Sequence, residues 1–312
     1  MTIFKPSPEQ EQAIEFVGDM VVVARPGSGK TSVLSRKVRN LVSELRPYQG
    51  IIAISFTNKA SDELERRCKA NAFDVKSSFF GTIDDFCLRE ILFPFARQLM
   101  PVATNLKTAK LRELPESATR MLPAIPIQDA TFANTADFLP FLHEALVQGF
   151  VPLEAVSMLA RYIVEQSPAC QKYLTARYRA VYIDEYQDSG HFQHHLFLKL
   201  KALGLMAVAV GDSDQSIYGF AHKDPRYLHE LTAQGSGFAR FAITTNFRSH
   251  PSINDFALRL LDPNHPIAPT NDMRVLIKTV EGNQRAVGAW LKTAIPHLMQ
   301  YYHVAADRKL TQ

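Results

Sequence analysis

Four apolar residues, Val21 to Ala24, run directly into Arg25-Pro26-Gly27-Ser28-Gly29-Lys30-Thr31 and then into a stretch of helical apolar spacing, Lys30 to Leu45. A strand that ends in a glycine-rich turn and doubles back as a helix opens a strand–helix–strand unit. It commits the chain to a parallel sheet covered by helices, an α/β fold. Glycines at 27 and 29 let backbone N–H groups turn inward around phosphate oxygens, and the start of the helix adds its positive dipole end. In this setting Lys30 bridges the β- and γ-phosphates of ATP, Thr31 ligates Mg²⁺, and the run Ala24, Arg25, Pro26, Gly27, Ser28, Gly29 wraps the nucleotide. A glycine-rich turn with an incidental lysine is the plain alternative, and the strand before it and the helix after it weigh against that.

Further Val- and Ile-rich runs at 51–56, 180–184, 206–211 and 240–245 read as buried parallel strands, with a helix from Lys59 to Ala70 between the early ones. From Cys87 to Arg177 the rhythm breaks into helix-like segments, Phe138 to Gln148 and Leu153 to Gln166, and a Pro-rich irregular run from Lys107 to Pro140. This stretch reads as a helical insertion. Past Phe247 come a candidate helix from Ser252 to Leu261, one strand at Arg274 to Thr279 and a helix from Asn283 to Ala294. One strand and one helix do not close a second sheet domain.

Two adjacent acids end the strand Val181-Tyr182-Ile183-Asp184-Glu185. Asp184 there suits Mg²⁺, held through water, and Glu185 suits proton acceptance from an attacking water. Met206 to Val210 leads into Gly211-Asp212-Ser213-Asp214-Gln215, which puts Gln215 at the carboxyl edge where open α/β sheets hold ligands. A last strand ends in Thr244-Thr245-Asn246-Phe247-Arg248, where Phe247 suits base stacking and Arg248 the γ-phosphate. By spacing alone, Phe247 reads more often as core and Arg248 more often as surface charge.

Together these segments resemble superfamily 1A DNA helicases of the UvrD, Rep and PcrA kind, in matching order from residue 4 to about residue 295. Ser7-Pro8-Glu9-Gln10 looks like the family's Q motif, which implies that Gln10 reads the adenine edge. Phe56-Thr57-Asn58-Lys59-Ala60 is similar to motif Ia, Asp184-Glu185-Tyr186-Gln187-Asp188 to motif II, the run from Gly211 to Tyr218 to motif III, and Asn246-Phe247-Arg248-Ser249 to motif IV. The resemblance implies a RecA-like ATP-binding domain (1–86 and 178–250), a helical insertion (87–177) and the start of a truncated second RecA-like domain (251–312). It also implies ATP hydrolysis through Lys30, Asp184, Glu185, Gln215 and Arg248, with 3′ to 5′ polarity. Single-stranded DNA is the implied partner, met by Phe56, Thr57, Asn58, Thr82, Asp84, Tyr218 and Phe220. Phe56, Tyr218 and Phe220 are the expected stacking platforms, core packing being the alternative for each.

Several positions depart from the family pattern. Phe220-Ala221 stands where relatives carry Trp-Arg, and Asp84 where most carry His. With Glu90-Ile91 and Pro94-Phe95, that second segment resembles the helicase subunit of Gabija-type antiphage systems, which implies an OLD-family nuclease as partner. Motifs V and VI are not found, so the second γ-phosphate arginine has no assigned source; Arg274 and Arg285 lie in the right region without a placement. The competing function is a nucleotide-gated, DNA-binding regulatory subunit with little hydrolysis of its own.

A net charge of +4 fits nucleic acid but decides nothing. Cys68, Cys87 and Cys170 show no CxxC spacing, which reads as reduced thiols without zinc. No leader pattern and no apolar run near the ~20 residues of a membrane span is seen, so a soluble, cytoplasmic protein is expected. His191, His194 and His195 share a helical face, and with no fourth ligand evident they read as an ordinary solvated or partly buried helix face rather than a metal site.

Overall fold

The computed structural model describes residues 5–212, 226–267, 275 and 281–301. Eight strands are seen among them: β1 (Met20–Ala24), β2 (Gly50–Ile54), β3 (Phe79–Gly81), β4 (Lys107–Ala109), β5 (Phe150–Pro152), β6 (Tyr178–Ile183), β7 (Met206–Gly211) and β8 (Ala239–Ile243). Six make one all-parallel sheet in the order β3-β2-β6-β7-β1-β8. The other two form a small parallel pair.

Burial follows the two-residue alternation of a sheet covered on both faces. On one face lie Val21, Ile52, Ile54, Val181, Ile183, Ala207 and Ala209. Met20, Val22, Ala24, Ile51, Ala53, Ala180, Tyr182, Val208 and Val210 lie on the other. Helices α1 (Pro8–Glu15), α2 (Lys30–Glu44) and α3 (Asn58–Cys68) cover this second face, through Ala13, Val33, Leu34, Val38 and Leu64. Short apolar runs therefore read correctly as buried strands, because neither face has to be polar.

The first face continues without a break into the stretch after β3. There α4 (Ile83–Phe86) passes into a π-helical turn at Cys87–Leu92, then α5 (Phe93–Phe95), α6 (Glu116–Thr119), α7 (Thr135–Val147), α8 (Val156–Gln166) and α9 (Pro168–Arg177). Phe86, Phe138, Phe141, Leu159 and Ile163 share one buried cluster with sheet residues and with Leu196, Phe197 and Leu200 of α10 (His191–Ala202). The Pro-rich run from Lys107 to Pro140 is less irregular than its composition suggests. It contains β4 and α6, and α7 begins at Thr135, with Pro140 in its second turn.

After β7 come α11 (Arg226–Thr232) and β8. By contact density the chain divides into two compact units, Met1–Arg248 and Ser249–Gln312. The described part of the second holds α12 (Pro251–Leu261) and α13 (Gln284–Tyr301). The final helix runs past Pro296, well beyond the expected end at Ala294. Apart from residue 275, the expected strand from Arg274 to Thr279 lies outside the described residues. No described helix is long and apolar enough to cross a membrane, and Cys68, Cys87 and Cys170 are all free and buried.

Candidate functional site

The loop after β1 is fixed from three sides. Arg25 N–H donates to the Ile243 carbonyl of β8 (3.2 Å), and Ser28 N–H closes a turn on the Arg25 carbonyl (3.2 Å). The Gly27 carbonyl accepts from Phe247 N–H (2.8 Å). Gly27 and Gly29 adopt the left-handed φ values of 71° and 81°. A Cβ on Gly27 would stand 2.6 Å from Asn246 Oδ1, and one on Gly29 2.8 Å from Gln10 Nε2. No side chain caps the start of α2; the Gly29 carbonyl accepts from Ser32 N–H (2.9 Å) there.

Gln10 is 1% exposed and bonded at both ends of its amide. Its Nε2 donates to the Ser28 carbonyl (2.8 Å), and its Oε1 accepts from Ser7 N–H (2.9 Å) in a capping box. In this state Gln10 braces the loop, and contact with a base edge requires those bonds to exchange.

Two strands over, β6 delivers the acids. Asp184 is buried, its N–H donates to the Ile54 carbonyl (2.9 Å), and its carboxylate accepts from Glu185 N–H (3.0 Å). Burial, and then the neighbouring Glu185 charge, push its pKa up to about 6 against the pull of Lys30. Glu185 takes a left-handed backbone, φ 55°, rare outside glycine. Its Oε2 accepts from Lys30 Nζ (3.2 Å) and from Gln187 Nε2 (2.9 Å). Gln187 in turn accepts Asp212 N–H (2.9 Å), which ties the ends of β6 and β7 together.

Beyond β8, Thr244 N–H and Oγ1 donate to the two carboxylate oxygens of Glu9 (2.9 and 2.8 Å), and these bonds hold the Glu9 carboxyl below its ordinary pKa. Phe247 is 57% exposed, so it is not a core residue, and Arg248 is exposed beside it. Both stand next to Gly27, with Arg248 Cβ 2.8 Å from the position of the imagined Gly27 Cβ.

Phe56, Thr82 and Asp84 line a single pocket together with Ser55, Asp184, Glu185, Asp188 and Gln193. Phe56 is 37% exposed. Thr57 and Asn58 are exposed too, and the Thr57 hydroxyl caps α3 by accepting from Ala60 N–H (3.2 Å). Likewise Thr82 caps α4 and donates to Asp85 Oδ2 (2.8 Å). Asp84 accepts from Ser157 Oγ of α8 (3.4 Å). Gln215, Tyr218 and Phe220 lie outside the described residues.

A family model described as "AAA domain" matches residues 10–221, a span that holds the loop, the acids and the pocket together. The chain belongs to that family. Within it, the relatives place the chain among UvrD/Rep/PcrA-like superfamily 1A helicases. It is 31% identical over 252 residues to the Gabija protein GajB of Bacillus cereus strain VD045, covering 80% of this chain and 47% of that protein. It is 26% identical over 302 residues to the ATP-dependent DNA helicase Rep of Escherichia coli K12, covering 83% and 43%. Among solved structures, the Pif1 helicase of Candida albicans matches at TM-score 0.42 and 13% identity, covering 94% of this chain and 55% of that one. The chain thus spans less than half the length of the GajB and Rep proteins.

In this AAA domain chain three contributors to the site carry no signal of their own in the sequence. Glu9 is one letter of a motif there, yet it clamps the strand end that leads to Phe247 and Arg248. Gln187 bridges Glu185 to β7, a role set by strand order rather than by residue type. The third is His194 on α10, which is 2% exposed and so a core position, while His191 and His195 keep the expected partly buried face. No metal-binding group of three or more His, Cys, Asp or Glu is found among the described residues.

Proposed function

We propose that the chain binds ATP with Mg²⁺ and single-stranded DNA, and that it is the ATP-hydrolysing part of a UvrD-like helicase or translocase of 3′ to 5′ polarity. The observation that carries this reading is the convergence of Lys30, Asp184 and Glu185 beside a loop whose two left-handed glycines leave no room for a Cβ. Such a cradle fits a triphosphate. The buried Asp184 carboxyl, raised toward neutrality by burial and then by the neighbouring Glu185 charge, fits a divalent cation together with the Thr31 hydroxyl.

On this reading Lys30 leaves Glu185 for the β- and γ-phosphates when nucleotide enters. Bound Mg²⁺ supplies charge neutralisation and a fixed orientation of the phosphate chain. Glu185, freed of its ion pair and held by Gln187, accepts the proton of the attacking water. Arg248 approaches the γ-phosphate and Phe247 the base. Gln215 acts at the γ-phosphate. Phe56, Thr57, Asn58, Thr82 and Asp84, with Tyr218 and Phe220, form the DNA side, where a base stacked on an aromatic contributes about 1–3 kcal/mol.

We assign residues 1–86 and 178–250 to the RecA-like ATP-binding domain, 87–177 to a helical insertion and 251–312 to the beginning of a second RecA-like domain. Similarity to GajB supports a role in antiphage defence, and on this reading an OLD-family nuclease subunit is the proposed partner. ATP turnover by the purified chain, with and without single-stranded DNA and beside Glu185→Gln, tests the reading. Turnover stimulated by DNA and abolished by the substitution supports it; nucleotide binding without turnover replaces the motor with a nucleotide-gated regulatory subunit.

A further inference from the structure

Glu185 holds a backbone conformation that is costly for any residue except glycine, and such conformations persist only where their surroundings over-determine them. The next three residues, Tyr186–Asp188, form a tight turn closed by Asp188 N–H on the Glu185 carbonyl (2.9 Å) and Ser189 N–H on the Tyr186 carbonyl (3.0 Å). The largest anchor of that turn is the fully buried Tyr186 side chain, packed edge-on against Phe197 at 5.0 Å.

Its hydroxyl lies 2.8 Å from Nδ1 of His194, one turn into α10. The other ring nitrogen of His194 lies 3.2 Å from a carboxylate oxygen of Glu230 on α11. A carboxylate only accepts, so this 3.2 Å ion-pair contact favours the tautomer of His194 with its proton on Nε2. Nδ1 is then a lone pair, and the buried phenol of Tyr186 donates to it. The His194 ring also stacks on Tyr227 of α11, with centroids 4.6 Å apart and an interplanar angle of 20°.

The neighbouring His191 ties the same helix to Phe132 and, like His194, to Tyr227. Its Nε2 accepts from Phe132 N–H (3.0 Å), which makes that nitrogen unprotonated, so its Nδ1–H faces the Tyr227 hydroxyl at 3.1 Å.

We propose that His194 is a positioning residue for Glu185: through the Tyr186 hydroxyl, and braced by Tyr227 and Glu230, it locks the turn that sets the direction of the Glu185 carboxylate. This rests on the assignment of Glu185 as proton acceptor, and it goes beyond it by naming a residue that touches neither nucleotide nor DNA.

The test compares His194→Phe, which keeps the ring shape but accepts no hydrogen bond, with His194→Asn, whose Oδ1 stands close to the place of Nδ1, and with Tyr186→Phe. In the full chain His194→Phe lowers kcat for DNA-stimulated ATP turnover about tenfold with KM for ATP within twofold, and His194→Asn recovers most of the loss. In a Tyr186→Phe background the His194→Phe change has no further effect on kcat. A loss carried in KM, or an equal second loss in the Tyr186→Phe background, overturns the proposal. Amide hydrogen exchange gives a readout that does not depend on turnover: His194→Phe speeds exchange of the Asp188 and Ser189 amides at least tenfold, and His195→Ala leaves them unchanged. A wild type without DNA-stimulated turnover refutes the functional reading alone, whereas unchanged exchange at Asp188 and Ser189 refutes the positioning role alone.

Discussion

Lys30 Nζ and Glu185 Oε2 meet at 3.2 Å, although 155 residues separate them in sequence. The lysine begins α2 directly after β1, and the glutamate comes just past β6. Because β7 alone lies between those strands, the two carboxyl ends sit about 10 Å apart at the ordinary spacing of neighbouring strands. A lysine side chain spans much of that gap, so the Lys30 cation and the Glu185 carboxylate neutralise each other.

From this pairing, Glu185→Gln and Lys30→Ala are expected to move in opposite directions. Removing the carboxylate frees Lys30 and relieves its repulsion of phosphate, so Glu185→Gln binds ATP–Mg²⁺ at least as tightly as wild type while turnover falls by about 10³-fold or more, the scale of losing a general base together with its positioning. Lys30→Ala strands Glu185 against the triphosphate and weakens binding by about 10- to 100-fold, equal to ~1.4–3 kcal/mol. Titration with a fluorescent ATP analogue and a turnover assay on each variant check both directions.

The glycine cradle gives a second expectation. Gly27→Ala introduces a Cβ 2.6 Å from Asn246 Oδ1 at a left-handed φ of 71°, so backbone strain and a clash act together. The expected loss is roughly 1–3 kcal/mol in stability, seen as a lower Tm, with the stabilisation by ATP–Mg²⁺ also lost. Gly235, equally left-handed at φ 84° but with nothing within 4 Å, is the control: Gly235→Ala carries the strain without the clash and keeps its response to nucleotide.

Phe56 separates DNA binding from folding. It is partly exposed at the rim of the pocket that also holds Asp184 and Glu185. Phe56→Ala is therefore expected to leave Tm within about 2 °C, as surface substitutions do. Affinity for a single-stranded oligonucleotide should drop by about 5- to 150-fold, the ~1–3 kcal/mol of one stacked base. An unchanged affinity in a fluorescence anisotropy titration removes Phe56 from the DNA path.

Much of this architecture is legible because a sheet buried on both faces writes its strands as plain apolar runs. The strands at Met20–Ala24 and Met206–Gly211 match their apolar runs nearly to the residue. Phe79–Gly81 escapes because three residues preceded by Ser77-Ser78 make no run, and Lys107–Ala109 and Phe150–Pro152 escape because they are equally short. At Pro140 the residue type argues for an irregular end, yet apolar contacts of Phe138, Phe141 and Leu142 hold the helix through it at the cost of a hydrogen bond. In the site, the residue types at the loop and the acids announce their chemistry. Their partners do not: that Gln10 braces Ser28, that Glu9 clamps Thr244 and that His194 meets Tyr186 depend on which strands and helices become neighbours.

The histidines of α10 give a pH dependence of stability whose sign is set by their burial. His191 and His194 are held down to about 4, by desolvation first and then by the neighbouring imidazoles. An unfolded histidine titrates near 6.5. The folded state therefore binds fewer protons than the unfolded one between about pH 6.5 and 4. Their stabilising contribution is complete above that window and is lost as pH falls through it. For the buried His194 the loss amounts to a few kcal/mol, on the order of 1.4 kcal/mol for each unit of pKa difference. Asp184 runs the other way: with its carboxyl raised to about 6, it favours the folded state below the ordinary aspartate range and loses that contribution as pH rises through 6. Denaturant titrations between pH 7.5 and 4.5 in an Asp184→Asn background remove the opposing carboxyl. Stability is expected to fall with decreasing pH there, and to fall less steeply once His194→Phe is added. A slope that His194→Phe leaves unchanged places the acid sensitivity on other groups.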